Sequence, residues 1–199
     1  MLINTVTPSS LWLELTQVFD FSVDSNYWDY TYWYTSWNWL TIQNANGWVT
    51  NWWSSWGNGS VYKEVNATEV WTRALINFNN TSISWNRGWG ISLYSWTSWY
   101  DNWPSITAEN WVQRISISRS GTENEKVTTT MTLGTDYYID GKFKNWIYTA
   151  TLLDTSENVL ATTSLQTTDT EMKYIWFSMW NHSATPAFCR LKKFREWHR

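Results

Sequence analysis

Apolar residues return at every second position along much of the chain. Between Leu11 and Val23 the odd positions hold Leu11, Leu13, Leu15, Phe19, Phe21 and Val23, broken only by Gln17, while the even ones include Glu14, Thr16, Asp20 and Ser22. That alternation belongs to a strand with one face buried, and it predicts a long strand there. The same period recurs in 70–78, 111–117, 127–133, 146–153, 174–180 and 187–194. Between these runs fall Asn44-Ala-Asn-Gly47, Asn86-Arg-Gly88, Ser120-Gly-Thr122, Asp140-Gly141 and Asp154-Thr-Ser-Glu-Asn158, all residues that suit turns and tolerate left-handed backbone. No segment carries three turns of helical periodicity, and residues 105–111 have room for a single turn. Ten or more short strands with turn signals between them predict an all-β chain, a single-domain antiparallel β-sandwich or barrel. No Gly- or Pro-rich boundary divides the chain, so one domain is expected over residues 1–199.

Composition sharpens this. The chain is 43% hydrophobic but only 16% charged, below the roughly 25% of an ordinary soluble domain. The difference is made up by 27 Thr, 21 Ser and 18 Asn, which excludes disorder, collagen and coiled coil, each of which needs a signature absent here. The formal charge is -3, with basic residues gathered only at Arg190, Lys192, Lys193, Arg195, His198 and Arg199, read as the solvated end of an edge strand. Nucleic acid is not an expected partner, since its binders are usually basic. The lone Cys189 permits no internal disulfide and no cysteine zinc site. No signal peptide is visible after Met1, and no run of about 18 apolar residues exists to span a membrane.

The C-terminal half has a definite strand order. Leu133-Gly-Thr-Asp-Tyr-Tyr-Ile139 leads to Trp146-Ile-Tyr-Thr-Ala-Thr-Leu-Leu-Asp154. A turn then gives Val159-Leu-Ala-Thr-Thr-Ser164, followed by Tyr174-Ile-Trp-Phe-Ser-Met179 and the closing Phe188-Cys-Arg-Leu-Lys-Lys-Phe-Arg-Glu-Trp197. Over residues 111–197 this order resembles the final strands of concanavalin A-like (laminin G-like) jelly rolls, in which the last strand returns beside the first. The resemblance implies a two-sheet sandwich and a family whose members are often carbohydrate binders, sometimes glycosidases and sometimes structural modules.

Glycosidases on that fold carry Glu, Asp and Glu at alternate positions of one strand. Their chemistry needs two carboxyl groups ~5 Å apart for retention, or ~6.5–9.5 Å for inversion. No such triplet occurs. Asp20 and Asp24, or Asp136 and Asp140, share a strand face but stand about 13 Å apart by strand rise. Glu123 and Glu125 have the right separation and fall in what reads as a solvated turn. The chain is therefore expected not to be an enzyme, with no catalytic residue assigned. His182 and His198 cannot build a multi-histidine metal site, and Ser183 beside His182 points to the opposite face of a strand. Asp24-Ser-Asn26 with Asp29, and Asp154 to Asn158, read as Asx turns rather than calcium loops, so neither metal nor cofactor is expected. Sequons at Asn58, Asn66, Asn79, Asn80 and Asn181 are about as many as chance gives in this composition, and carry no information on secretion.

The aromatics carry the functional signal. Of 20 Trp, 16 lie between Trp12 and Trp111, and each ring buries roughly 150–250 Å², so a core of this size cannot take them all. Trp28, Tyr30, Tyr32 and Tyr34 occupy one strand face, with Trp33, Trp37 and Trp39 on the other, and this ladder reads as core. Trp52, Trp53 and Trp56, and likewise Trp96, Trp99, Tyr100 and Trp103, stand among Ser, Asn, Asp and Gly. They read as exposed loop rings, the expected ligand or partner contacts. Three functional classes fit: a lectin-like binding module, a structural or attachment subunit of a virion or other extracellular assembly, and an enzyme lacking visible carboxylates. A membrane-interface belt of Trp and Tyr is a fourth. The expected reading is the non-enzymatic subunit of an assembly at a virion or extracellular surface. Its partners would be other copies of the chain, neighbouring structural subunits, or carbohydrate.

Overall fold

The computed structural model describes residues 17–20, 31–35, 39–43, 48–52, 57–78, 87–94, 105–109, 114–119, 122–132, 134–181 and 189–199. Among these residues every regular element is a strand, and the strands form two antiparallel sheets. The eight-stranded sheet has the order β13 (Val159–Gln166), β12 (Ile147–Leu153), β11 (Asp136–Lys144), β6 (Val70–Phe78), β15 (Cys189–His198), β4 (Trp48–Trp52) and β3 (Trp39–Gln43), with β1 (Gln17–Asp20) also paired to β15. The seven-stranded sheet has the order β10 (Thr122–Thr128), β9 (Arg114–Arg119), β8 (Ser105–Glu109), β7 (Arg87–Tyr94), β14 (Met172–Asn181), β5 (Gly57–Ala67) and β2 (Thr31–Thr35). The return of the last strand beside the first is met by the antiparallel pairing of Gln17 with Glu196 through Asp20 with Lys193.

Period-two patterning translates directly into layers. Phe194, Ala74, Ile139, Leu152 and Ala161 are successive partners across β15, β6, β11, β12 and β13, and all five are buried. One residue along, Arg195, Arg73, Asp140, Thr151 and Thr162 form the adjacent row, which a strand must turn to the opposite face. The core therefore lies on the Ile139 face, between the sheets. Phe143 and Tyr148 close it at one end, with ring centroids 4.9 Å apart. The Tyr148 hydroxyl, buried with its ring, donates to Asp169 Oδ2 at 3.0 Å, which satisfies a polar group that would be costly to leave bare. Glu196 is fully buried on the core face and accepts from Lys63 Nζ of β5 at 2.6 Å, an ion pair joining the two sheets.

Several expectations are corrected. Asp140-Gly141 is no turn: both residues sit inside β11, paired with Arg73 and Thr72. The hairpin instead closes at Asn145 and Trp146, whose φ values of 51° and 63° are the left-handed pair a two-residue turn of this kind requires. Residues 105–109, expected to hold a helical turn, form β8. Glu123 and Glu125 lie within β10, with a register shift between them, and not in a turn. Arg87 and Gly88 begin β7 rather than closing a turn. The strand expected over 127–133 ends at Thr128. The basic C-terminal segment is no edge strand, because β15 lies inside its sheet between β6 and β4. Only residues 17–20 of the long strand expected over 11–23 are described. The Asp154 to Asn158 turn is present: Asp154 Oδ1 accepts from the backbone N of Ser156 and of Asn158, both at 2.9 Å. These bonds, led by the one from the Asn158 side chain, hold its carboxyl below the ordinary aspartate value.

Candidate functional site

Two surfaces emerge, one on each sheet. On the seven-stranded sheet, fully buried Ile175 marks the core face of β14. The register places Leu93, Ile91 and Trp89 of β7, and Lys63 and Val61 of β5, on that face. The alternate positions fall on the other face. There β14 contributes Tyr174, Trp176, Ser178 and Trp180, and β5 contributes Glu64, Tyr62, Ser60 and Asn58. β7 supplies Tyr94, Ser92, Gly90 and Gly88, and β2 supplies Thr31, Trp33 and Thr35. On β8 and β9 the same face carries Ser105, Thr107, Glu109, Arg114, Ser116 and Ser118. Tyr62 and Tyr174 are half-buried, and their rings meet edge to face with centroids 6.0 Å apart. A file of aromatic positions thus runs down β14 with serine and glycine positions beside it. Alternate positions of a strand are spaced about 6.6–6.8 Å.

The second surface lies on the outer face of the eight-stranded sheet. Trp197, Trp71 and Lys142 are successive partners across β15, β6 and β11. With Glu69, Val70, Phe143 and Lys144 they line a cleft of about 90 Å³. Lys142 Nζ lies 5.2 Å from the Trp71 ring centroid, and the Arg199 guanidinium carbon 5.8 Å from that of Trp197, both at cation–π distance. Trp71 is fixed from behind: its Nε1 donates to Asp140 Oδ2 at 3.4 Å. Asp140 in turn accepts from Arg73 Nε and Nη2 at 2.6 and 2.7 Å. Burial pushes the Asp140 carboxyl above its ordinary value, against the downward pull of Arg73. At the rim Glu69 accepts from Arg199 Nη2 at 2.8 Å and pairs with Lys144 Nζ at 3.1 Å. Its carboxyl is held below its ordinary value, first by the hydrogen bond from Arg199.

Of the residues singled out from the sequence, Trp52 closes β4, whereas Trp53, Trp56, Trp96, Trp99, Tyr100 and Trp103 lie outside the described residues. The strand ends that flank the two clusters are not neighbours. Gly57 pairs with Asn181, which pairs with Arg87, whereas Tyr94 pairs with Tyr174. β7 spans the distance between those ends with eight residues, about 25 Å by strand rise. Tyr32 and Tyr34 take core-face register positions as expected, while Trp33 takes the outer face. Asp136 and Asp140 do share a face of β11, and both are engaged, Asp136 by Lys192 and Asn77, Asp140 by Arg73. Among the described residues no three His, Cys, Asp or Glu side chains are grouped to hold a metal ion. Asp24 and Asp29, like His182, lie outside those residues. Among the described residues no helix is long and apolar enough to cross a membrane. Two features escaped the sequence reading. The outer-face file was hidden because 174–180 carries large residues at every position but Ser178. The pairing of Trp71 with Trp197 is set by a contact between strands 126 residues apart along the chain.

No protein-family model matches the chain, and neither does any curated protein by sequence. Solved structures do resemble it. The Lotus tetragonolobus seed lectin superposes with a TM-score of 0.71 at 7% identity, over 92% of this chain and 98% of that one. Lectin II from Ulex europaeus gives 0.68 at 10% identity, over 92% and 98%. The exoplasmic/lumenal domain of VIP36 in its Ca2+/Man-bound form gives 0.66 at 10% identity, over 91% and 87%. The fold is thus the concanavalin A-like jelly-roll sandwich expected from the C-terminal strand order.

Proposed function

We propose that this jelly roll is a non-enzymatic carbohydrate-binding module that holds sugar rings against the aromatic file on the outer face of its seven-stranded sheet. One observation carries the reading: the register puts Tyr62, Tyr174, Trp176 and Trp180 on one face, flanked by Gly88, Gly90, Ser92, Ser60 and Asn58. Aromatic rings offer a large apolar area for the C–H face of a sugar, and short polar neighbours can hydrogen-bond its hydroxyls without filling the space above the rings. The likeness to two seed lectins and to a domain solved with Ca2+ and Man supports the same reading. The engagement of Asp136 and Asp140 by cationic partners supports a binding role over hydrolysis. Trp53, Trp56, Trp96, Trp99, Tyr100 and Trp103 are taken as further sugar contacts in this proposal, whereas Trp52 closes β4 of the other sheet. Its setting is an extracellular or virion surface, where the chain meets other copies of itself or neighbouring subunits.

The test is binding to a panel of neutral glycans, followed by titration calorimetry on wild type, Trp176→Ala and Trp180→Ala. Loss of about 2 kcal/mol of binding on removing a central ring, with circular dichroism unchanged, is the expected outcome. Trp53→Ala and Trp99→Ala are expected to weaken binding without lowering the melting temperature. Affinity equal to wild type in both Trp176→Ala and Trp180→Ala, or no glycan bound at all, refutes the proposal. Light-scattering mass of the isolated chain tests the assembly setting, for which a closed or open oligomer is expected and a strict monomer is the contrary result.

A further inference from the structure

The cleft on the eight-stranded sheet is chemically unlike the face just described. Its walls are two indoles on adjacent strands, Trp71 and Trp197, and the core residues Val70 and Phe143, each 1% exposed, back it from inside the sandwich. Around it stand three side-chain cations, Lys142, Lys144 and Arg199, against one side-chain carboxylate, Glu69. Glu69 occupies Lys144 and Arg199 together, so the rim keeps a net positive charge in a chain whose overall charge is -3. Lys142 is exposed and has no ion-pair partner among the described residues; it rests over the Trp71 ring. One wall is linked to the sheet's central ion pair, since Trp71 Nε1 donates to Asp140, which Arg73 holds.

We infer that this cleft is a second binding site, one that takes an acidic saccharide, with the sugar ring against the Trp71 and Trp197 indoles and its carboxylate or sulfate held by Lys142 and Lys144. The juxtaposition of apolar walls and surplus cation calls for a ligand that is apolar on one side and anionic on the other. At about 90 Å³ the cleft is smaller than the ~150 Å³ cavity that admits benzene, so it accepts part of one sugar ring and its charged substituent. A nucleic acid strand fits less well, because its binders neutralise a run of phosphates. Here the cations cluster at one point, while Asp136, Asp140 and Glu157 lie further along the same sheet or its turn. The site shares no residue with the aromatic file of the other sheet, and the inference stands independently of it.

The test is titration calorimetry of the whole chain with a galacturonic acid tetramer, a chondroitin sulfate tetramer, neutral maltotetraose and a dT oligonucleotide, at low and at physiological salt. Binding of at least one acidic tetramer is expected, weakening as salt screens the charge. Lys142→Glu is expected to lower that affinity at least about tenfold, the scale of one charge-assisted hydrogen bond, and Trp197→Leu to lower it as well. Melting curves for both variants, together with the milder Lys142→Met, separate lost binding from lost folding. Whether the uronate or the sulfate binds more tightly identifies the anionic group. The inference is overturned if neither acidic tetramer binds, if a folded Lys142→Glu binds them as well as wild type, or if the oligonucleotide binds more tightly than both. A failure of maltotetraose and other neutral glycans would count against the aromatic file alone.

Discussion

Replacing Arg73 by methionine tests whether the outer face of the eight-stranded sheet depends on its central ion pair. Arg73 is 4% exposed, and its two-pronged contact with Asp140 is supplemented by Glu157 Oε1, 3.3 Å from Nη1. Methionine retains much of the aliphatic stem but none of the donors, so Asp140 is left buried with the weak Trp71 contact. Removing one partner of a buried pair costs about 3–5 kcal/mol, a large part of the ~5–15 kcal/mol that holds a domain folded. With a urea m value of ~2 kcal/mol/M, that loss moves the unfolding midpoint down by about 2 M. The pH dependence has a definite sign. Burial already raises the Asp140 carboxyl in the folded state, and loss of Arg73 removes the main opposing influence. A group with a raised folded pKa contributes stability below its unfolded pKa, and that contribution disappears as pH rises through the folded value. The deficit of Arg73→Met should therefore narrow as the solution is acidified from pH 7 to pH 5. Arg73→Met/Asp140→Leu, which removes both charges, should recover most of the loss. Urea titrations at the two pH values decide the matter: a deficit under about 1 kcal/mol, or one that widens on acidification, refutes the reasoning.

At the β11–β12 hairpin, Trp146 is 56% exposed and holds φ 63°, a conformation that strains an ordinary L-residue by about 1–2 kcal/mol. Trp146→Gly trades that strain for a smaller entropic cost and is expected to stabilise by roughly 0.5–1 kcal/mol, raising the melting temperature by about 2 °C; a lower melting temperature would contradict the turn geometry. Glu69 has a depressed folded pKa, so its contribution is present above its ordinary value of 4.5 and is lost as pH falls through the folded value. The melting-temperature gap between wild type and Glu69→Gln should accordingly shrink between pH 6 and pH 3 in low salt, and a gap independent of pH would show that the Arg199 and Lys144 contacts add nothing.

The sandwich was legible because period two is a backbone property: residues 70–78, 146–153 and 174–180 alternate strongly enough to reveal strands without any partner in view. Turns were less legible, since a turn is chosen by competition. Asp140-Gly141 has turn-forming residues, yet the core row on either side of it and the Arg73 fork keep it in the ladder, and the bend moves to Asn145 and Trp146. Likewise the charges of β15 suggested an edge, although Lys192 and Arg199 are neutralised by Asp136 and Glu69 from distant segments. The candidate surfaces were the least legible part. Composition indicates that surplus rings must be exposed, but only the register of β5, β14 and β7 sorts Tyr174 and Trp176 from Ile175, and only β15 beside β6 brings Trp197 to Trp71.

The position of β15 also dictates when the molecule can be completed. β6 is made early, with β11 on one side by residue 144, but its other side waits for residues 189–198. On a ribosome adding about 5–20 residues per second, the nascent chain carries a half-finished sheet for several seconds. β1, β4 and β6 all lack the strand that joins them. Such unpaired edges are templates for pairing with another chain, and contacts this distant in sequence close slowly. Synthesis interrupted before residue 189 should yield not a smaller sandwich but an aggregating one.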